Sequence, residues 1–157
     1  MTTIAQHENR LLLIEKVLIL KSLSIFEETP ETVLAEVAEI LEELEFEKGK
    51  NIFHSGEIAS CMYIIVKGEI RIYKNEHTLI VLKENDFFGE LSLLDTETRS
   101  ASASALKDAF LLKIDQEPFY ELMESRVEVA KGIIKTLCRR LRAQNARVLE
   151  EQKKNHS

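Results

Sequence analysis

The sequence predicts a mainly β protein with flanking helices: an eight-stranded jelly-roll β-barrel between N-terminal helices and one long C-terminal helix. Three observations lead there. Apolar residues recur at helical spacing before residue 44 and again beyond residue 115, while between them they fall in short β-branched and aromatic runs. Those runs are evenly separated by turn residues, the pattern of jelly rolls and small antiparallel barrels. Four of the five glycines also lie in that middle region, where turns and close backbone approaches need them.

Taken in order, the run from about Glu8 to Leu20 is apolar on nearly every side. It suits a helix buried among others, either on this domain or against a larger protein. Thr29-Pro30-Glu31 reads as a helix start, with a hydroxyl N-cap, proline at the first helical position and a carboxylate in the first turn. Val33, Leu34, Val37, Ala38 and Leu41 then form one apolar face, with Glu36, Glu39, Glu42 and Glu43 outside it. Strands follow over Asn51–His54, Met62–Val66, Glu69–Lys74, Thr78–Leu82 and Phe110–Ile114, with turn signals at Gly49, Ser55-Gly56, Gly68, Asn75-Glu76 and Asn85-Asp86. Pro118 opens a short helix through Met123, and a long helix runs from about Val127. In the latter Ala130, Ile134, Leu137, Leu141 and Val148 lie near a seven-residue stripe with Gln144 in the seam. Two copies could pair along such a stripe, or it could cover the mouth of the barrel. The organisation expected is a helical segment over residues 1–26, a jelly-roll domain over 27–125 and a lid or dimerisation helix over 126–157.

Composition bounds the function. The chain has 157 residues, 45% apolar and 31% charged, enough for one domain with a core and helical extensions. No stretch reaches the roughly eighteen apolar residues of a membrane span, and the N-terminal run lacks a signal-peptide pattern. Cys61 and Cys138 fall in a strand and a helix pattern, as packing thiols of a cytoplasmic protein would. The net charge of −6 disfavours nucleic acid as a general partner. It is unevenly spread: from Arg126 onward nine Lys/Arg face three Asp/Glu, a balance of +6 that leaves −12 on the preceding residues. A basic helix on an acidic body could meet nucleic acid, an acidic membrane or the body itself, but a solvated helix face is the simpler explanation and the one expected.

The chemistry concentrates in Asp86-Phe87-Phe88-Gly89-Glu90-Leu91-Ser92-Leu93-Leu94, followed by Arg99-Ser100-Ala101-Ser102-Ala103. Gly89 can bring its backbone close to a ligand, and a helical turn over Glu90–Leu94 would aim free N–H groups at it. Such a helix start favours phosphate. Arg99 lies nine residues after Glu90 across a polar loop, so its guanidinium could return to grip the same anion with two parallel hydrogen bonds. Glu90 would then face a sugar hydroxyl.

These residues resemble the phosphate-binding cassette of the cyclic-nucleotide-binding domains, which reads Phe-Gly-Glu-Leu-Ala-Leu, a variable loop, then Arg and small residues. Cys61-Met62-Tyr63-Ile64-Ile65-Val66-Lys67-Gly68-Glu69-Ile70 resembles the family's paired central strands, so the likeness covers roughly residues 20 to 140. The resemblance implies a sensor without catalysis, whose ligand is cAMP or cGMP. It puts Glu90 on the ribose 2′-hydroxyl, Arg99 on the exocyclic phosphate oxygens, and backbone amides of Gly89, Glu90, Leu91 and Ser92 around the phosphate, with Ser100 and Ala101 beside them. Serine after the arginine leans the ligand towards cAMP. The purine needs an apolar slot, for which Ile72 and Leu79 are the candidates, with Leu137 or Leu141 as a lid. In bacterial members the last helix commonly pairs subunits, which implies a homodimer here. Two departures are Thr98, where the family often has proline, and Asn85, where it has glycine; Asn is well suited to a positive φ.

Enzyme readings find no support. His7, His54, His77 and His156 are scattered, without the clustered metal-ligand spacing of the cupins, and no histidine pairs with a cysteine or serine as a nucleophile would. No metal or cofactor is expected. No helix-turn-helix segment follows the long helix, so DNA is not an expected partner. A second reading keeps the fold without the ligand: a scaffold or dimerisation domain of a larger protein, whose effector partner the sequence does not reveal.

Overall fold

In the computed structural model, which describes residues 5–6 and 11–156, a β core is wrapped on one side by helices. The strands are β1 (Ala5–Gln6), β2 (Glu42–Phe46), β3 (Asn51–Phe53), β4 (Ile58–Ala59), β5 (Cys61–Lys67), β6 (Ile70–Lys74), β7 (His77–Leu82), β8 (Phe87–Phe88), β9 (Glu97–Thr98), β10 (Ser102–Ala105) and β11 (Ala109–Asp115). The helices are α1 (Leu13–Ser22), α2 (Glu31–Glu39), α3 (Glu90–Leu94), α4 (Gln116–Ser125) and α5 (Val127–Asn155), with a 3-10 turn at Ser24–Phe26. A five-stranded sheet in the order β1-β2-β11-β5-β8 faces a four-stranded sheet, β3-β10-β6-β7, and β4 pairs with β9 in a small ribbon. Every pairing is antiparallel. The mainly β architecture with flanking helices is thus present. Its strands divide between two sheets and a ribbon, and four of them are only two residues long.

Alternation along the strands makes two cores. Leu44, Phe46, Tyr63, Ile65 and Leu111 point from the five-stranded sheet towards Phe53, Ile70, Ala103 and Ala105 of the other. Met62, Ile64, Leu112 and Ile114 point the other way, against Leu20, Phe26, Leu34, Val37, Phe119, Val129 and Ile133 of the helical layer. Both faces of β5 and β11 are therefore buried, which is why those segments read as unbroken apolar runs. Gly68, at φ +100°, turns β5 into β6 where a Cβ would lie 2.7 Å from the Asp108 carbonyl oxygen.

Several local expectations change. Residues 8–10 of the expected first helix lie outside the described residues, and α1 starts at Leu13. It is not buried all round: Leu20 and Lys16 face inward, while Leu12, Ile14 and Leu18 are exposed because nothing among the described residues covers that side. Ala5–Gln6 pairs with Glu45 and Leu44, so a strand occurs within the segment expected to be helical. Thr29 does not cap α2. The cap is Pro30, whose carbonyl accepts from the N–H groups of Val33 and Leu34 at 3.0 Å, whereas the Thr29 hydroxyl is fully buried without a partner among the described residues. Glu42 and Glu43 belong to β2 rather than to the outer face of α2, and buried Glu43 accepts the Leu11 N–H at 2.9 Å.

The long helix also presents a different face. Leu137 packs on the helical core and Ala130 is half-buried, so neither is on an outer seam. Ile134, Leu141 and Val148 are exposed at 59%, 58% and 47%, and exposed Cys138 and Asn145 alternate with them at four- and three-residue spacing.

Candidate functional site

Between β8 and β9 the chain folds around a cavity of about 380 Å³ that opens against the four-stranded sheet. The approach is set by two turns. Asn85 takes φ +72°, and its N–H donates to the Ile65 carbonyl while the Ile65 N–H donates to the Asp86 carbonyl, both at 2.9 Å. The Asp86 carboxylate accepts the Lys83 N–H at 2.8 Å, so it holds the turn and does not enter the cavity. Three residues on, Gly89 adopts φ +84° and starts α3. A Cβ there would lie 2.9 Å from Arg99 Nη1 and 2.9 Å from the Cys61 carbonyl oxygen, so only glycine lets cassette, strand and guanidinium come together. The first N–H groups of α3 have no acceptor within a helix this short, and its first residues, Glu90, Leu91 and Ser92, line the cavity.

Arg99 follows β9. Its N–H donates to the Glu57 carbonyl and its carbonyl accepts from Gly56, each at 2.8 Å, which fixes the backbone from which the side chain projects. The guanidinium lies 4.1 Å above the centre of the Phe53 ring. Its Nη2 donates to the Cys61 carbonyl at 3.2 Å and Sγ at 3.4 Å, and Nη1 approaches Ser92 Oγ at 3.5 Å. Among the described residues no carboxylate is within ion-pair distance of it. A half-buried cation without a counter-charge at the wall of a cavity is a standing attraction for an anion. Beneath it Phe53, Tyr63 and Phe88 pack ring on ring, with Tyr63 and Phe88 stacked at 5.1 Å. Burial, reinforced by the Cys61 thiol beside it and opposed by Arg99, holds the Tyr63 phenol well above its ordinary range, so the ring stays neutral.

The structure brings Gly89, Glu90, Leu91, Ser92, Arg99, Ser100, Ala101 and Ile72 to one cavity wall. Leu79 is elsewhere. It is 61% exposed and does not line the cavity, whereas its neighbours Ile80 and Leu82 do. Ile72 pairs with Ile80, while Tyr73 pairs with Thr78, so Leu79 is the extra residue of a bulge. Neither Leu137 nor Leu141 reaches the cavity. Residues the sequence reading passed over are Phe53, Phe87 and Arg140. Arg140 Nη1 lies 4.0 Å from Glu90 Oε1, and Nη2 donates to Ser24 Oγ at 2.5 Å. A basic residue fifty positions from its acidic partner carries no local signal.

A family model described as a cyclic nucleotide-binding domain matches residues 43–126, strands β3 to β11 and the cassette included. The chain belongs to this family. Among its relatives is the cyclic AMP receptor protein of Thermus thermophilus, 36% identical over 102 residues, which are 62% of this chain and 47% of that one. The cAMP-dependent protein kinase regulatory subunit of Hypocrea atroviridis is 32% identical over 110 residues, 70% of this chain and 22% of that one. The N-terminal domain of a transcriptional regulator from Streptomyces coelicolor A3(2) superposes with a TM-score of 0.78 at 25% identity, covering 83% of this chain and 94% of that one. This cyclic nucleotide-binding domain thus spans about half the length of the Thermus receptor. No helix among its described residues is long and apolar enough to cross a membrane.

Proposed function

We propose that this chain is a non-catalytic, cytoplasmic sensor domain that binds a cyclic nucleotide, cAMP in preference to cGMP, and passes the binding event to its C-terminal helices. One observation carries the proposal: Arg99 stands at the cavity wall with no carboxylate partner among the described residues, beside the free N–H groups at the start of α3.

The cyclic phosphate is the anion that completes this arrangement. Arg99 and the amides of Glu90 to Ser92 converge on its oxygens, and a charge-assisted contact of this kind contributes about 1.5 to 3 kcal/mol. Glu90 accepts from the ribose hydroxyl. The purine lies against Ile72, Ile80 and Leu82, the apolar side of the cavity. Ser100, next to Arg99, and the likeness to a cyclic AMP receptor both favour cAMP.

Output runs through α5. Arg140 bridges Glu90 and Ser24, so a change in the hydrogen bonding of Glu90 biases where α5 rests on the helical layer. The outward line of Ile134, Cys138, Leu141, Asn145 and Val148 supports pairing of α5 with a second copy, because residues alternating at four and three positions make one coiled-coil seam. Through that seam, movement of α5 reaches a partner or an attached effector.

Thermal unfolding with and without cyclic nucleotide tests the binding reading. A ligand at about a hundred times its Kd that binds only the folded state adds roughly 2.7 kcal/mol, a clear rise in Tm. An unchanged Tm with millimolar cAMP and cGMP would leave the domain as a ligand-free scaffold.

A further inference from the structure

Arg99 is held before any ligand arrives, and the residue under it is Phe53. The guanidinium carbon lies 4.1 Å from the centre of the Phe53 ring and 6.0 Å from that of Tyr63. Phe53 ends β3, is 9% exposed, and lines the same cavity. It cannot tilt freely, because Phe88 and Tyr63 pack against it at 6.0 and 6.1 Å. Gly89 also adjoins the guanidinium, where even a Cβ would meet Nη1 at 2.9 Å. One guanidinium edge is taken by the carbonyl and sulfur of Cys61. The side chain is thus enclosed by a ring face, a glycine and a strand carbonyl, and among the described residues its Nε–H has no acceptor.

A ring face is negative, so it attracts a cation without forming hydrogen bonds and leaves donors available to a ligand. A carboxylate in that place would occupy those donors and compete with phosphate. We propose that Phe53 is a positioning residue: it acts through Arg99, keeping the guanidinium oriented towards the cavity with its charge unneutralised, and so sets the affinity for the phosphate. This rests on reading the cavity as a cyclic-nucleotide site. It requires the aromatic face and not merely apolar bulk at position 53. It also explains why arginine suits position 99 better than lysine, since the planar guanidinium lies flat on a ring and still presents an edge.

Two measurements test it. In the ligand-free protein, the Arg99 Nε–H resonance, close to the ring, is expected to be shifted upfield by the ring current. Phe53→Leu and Phe53→Met should remove that shift and Phe53→Tyr should keep it. In calorimetric titrations with cAMP, Phe53→Leu should weaken binding about tenfold and Phe53→Tyr less than about twofold. In an Arg99→Ala background, Phe53→Leu should add under about twofold, because the residue it positions is gone. A loss that persists in full in that background would make Phe53 a wall of the base slot and overturn the inference. So would an Arg99 resonance that Phe53→Leu leaves in place. If Phe53→Leu fails to fold, Phe53→Met, whose unbranched side chain adapts better to the slot of a ring, carries the same comparisons. Should the wild type bind no cyclic nucleotide, the reading of the cavity fails, and the ligand-free resonance still decides whether Phe53 positions Arg99.

Discussion

Arg140, on the fourth turn of the last helix, reaches back to Glu90 at the first position of α3, Nη1 to Oε1 4.0 Å, while its Nη2 holds Ser24 Oγ at 2.5 Å. Both partners of the ion pair are partly exposed, so its contribution to stability is small, about 0.2 to 1 kcal/mol. Its effect on coupling is larger. Arg140→Ala is expected to leave Tm nearly unchanged and to weaken cAMP binding only about two- to fivefold. It should also abolish the ligand-dependent change in hydrogen exchange along α5. Exchange measured with and without cAMP checks this, and an unaltered response in α5 would remove Arg140 from the route.

Gly89→Ala combines two costs. It places a side chain at φ +84° and a Cβ 2.9 Å from both Arg99 Nη1 and the Cys61 carbonyl. Urea unfolding should show a loss of about 1 to 3 kcal/mol, and nucleotide binding should fall further than stability does, because the guanidinium is displaced. Wild-type affinity in a folded Gly89→Ala protein would contradict the described cradle.

The Thr29 hydroxyl is fully buried with no hydrogen-bond partner among the described residues, against the α5 backbone at Gly132, where a Cβ would approach it at 2.9 Å. Thr29→Val keeps the shape and removes the orphan. Stability should rise by about 1 to 3 kcal/mol in denaturant unfolding. A loss instead would mean that the hydroxyl finds a partner in solution.

Leu141 is 58% exposed in the middle of the outward seam, and Leu137 faces the helical core. Leu141→Glu is therefore expected to yield a monomer in light scattering with its helical core intact, whereas Leu137→Ala should lower stability by about 2 kcal/mol or more and leave the seam intact. A wild-type chain that is monomeric at all concentrations would remove the pairing.

Periodicity and turn chemistry carry most of the fold. The apolar face of α2 is visible because burial repeats with the backbone period, and β5 and β11 are visible as unbroken runs because both their faces are buried. The cassette is visible too, because Phe88, Gly89, Glu90 and Leu91, followed by Arg99, resemble the motif of the cyclic nucleotide-binding family. What stays hidden depends on register and on distant partners. A two-residue turn at Asn75-Glu76 would by itself pair Ile72 with Leu79; the bulge slips the register, and Ile80 takes the inward place. The Thr29 cap fails because Pro30 takes the cap position and α5 covers the hydroxyl. The seam on α5 is phased by which side packs on the domain, and that turns Leu137 inward and leaves Cys138 and Asn145 outward. Short strands such as β10, built from serine and alanine, lack the bulky residues that mark strands in sequence.

The most direct measurement is a calorimetric titration of cAMP into the wild type and Arg99→Ala side by side. Wild type is expected to bind with micromolar affinity, and Arg99→Ala about ten- to a hundredfold more weakly, the loss of one charge-assisted contact to phosphate. No heat from the wild type, or equal affinity in both proteins, would contradict phosphate capture by Arg99.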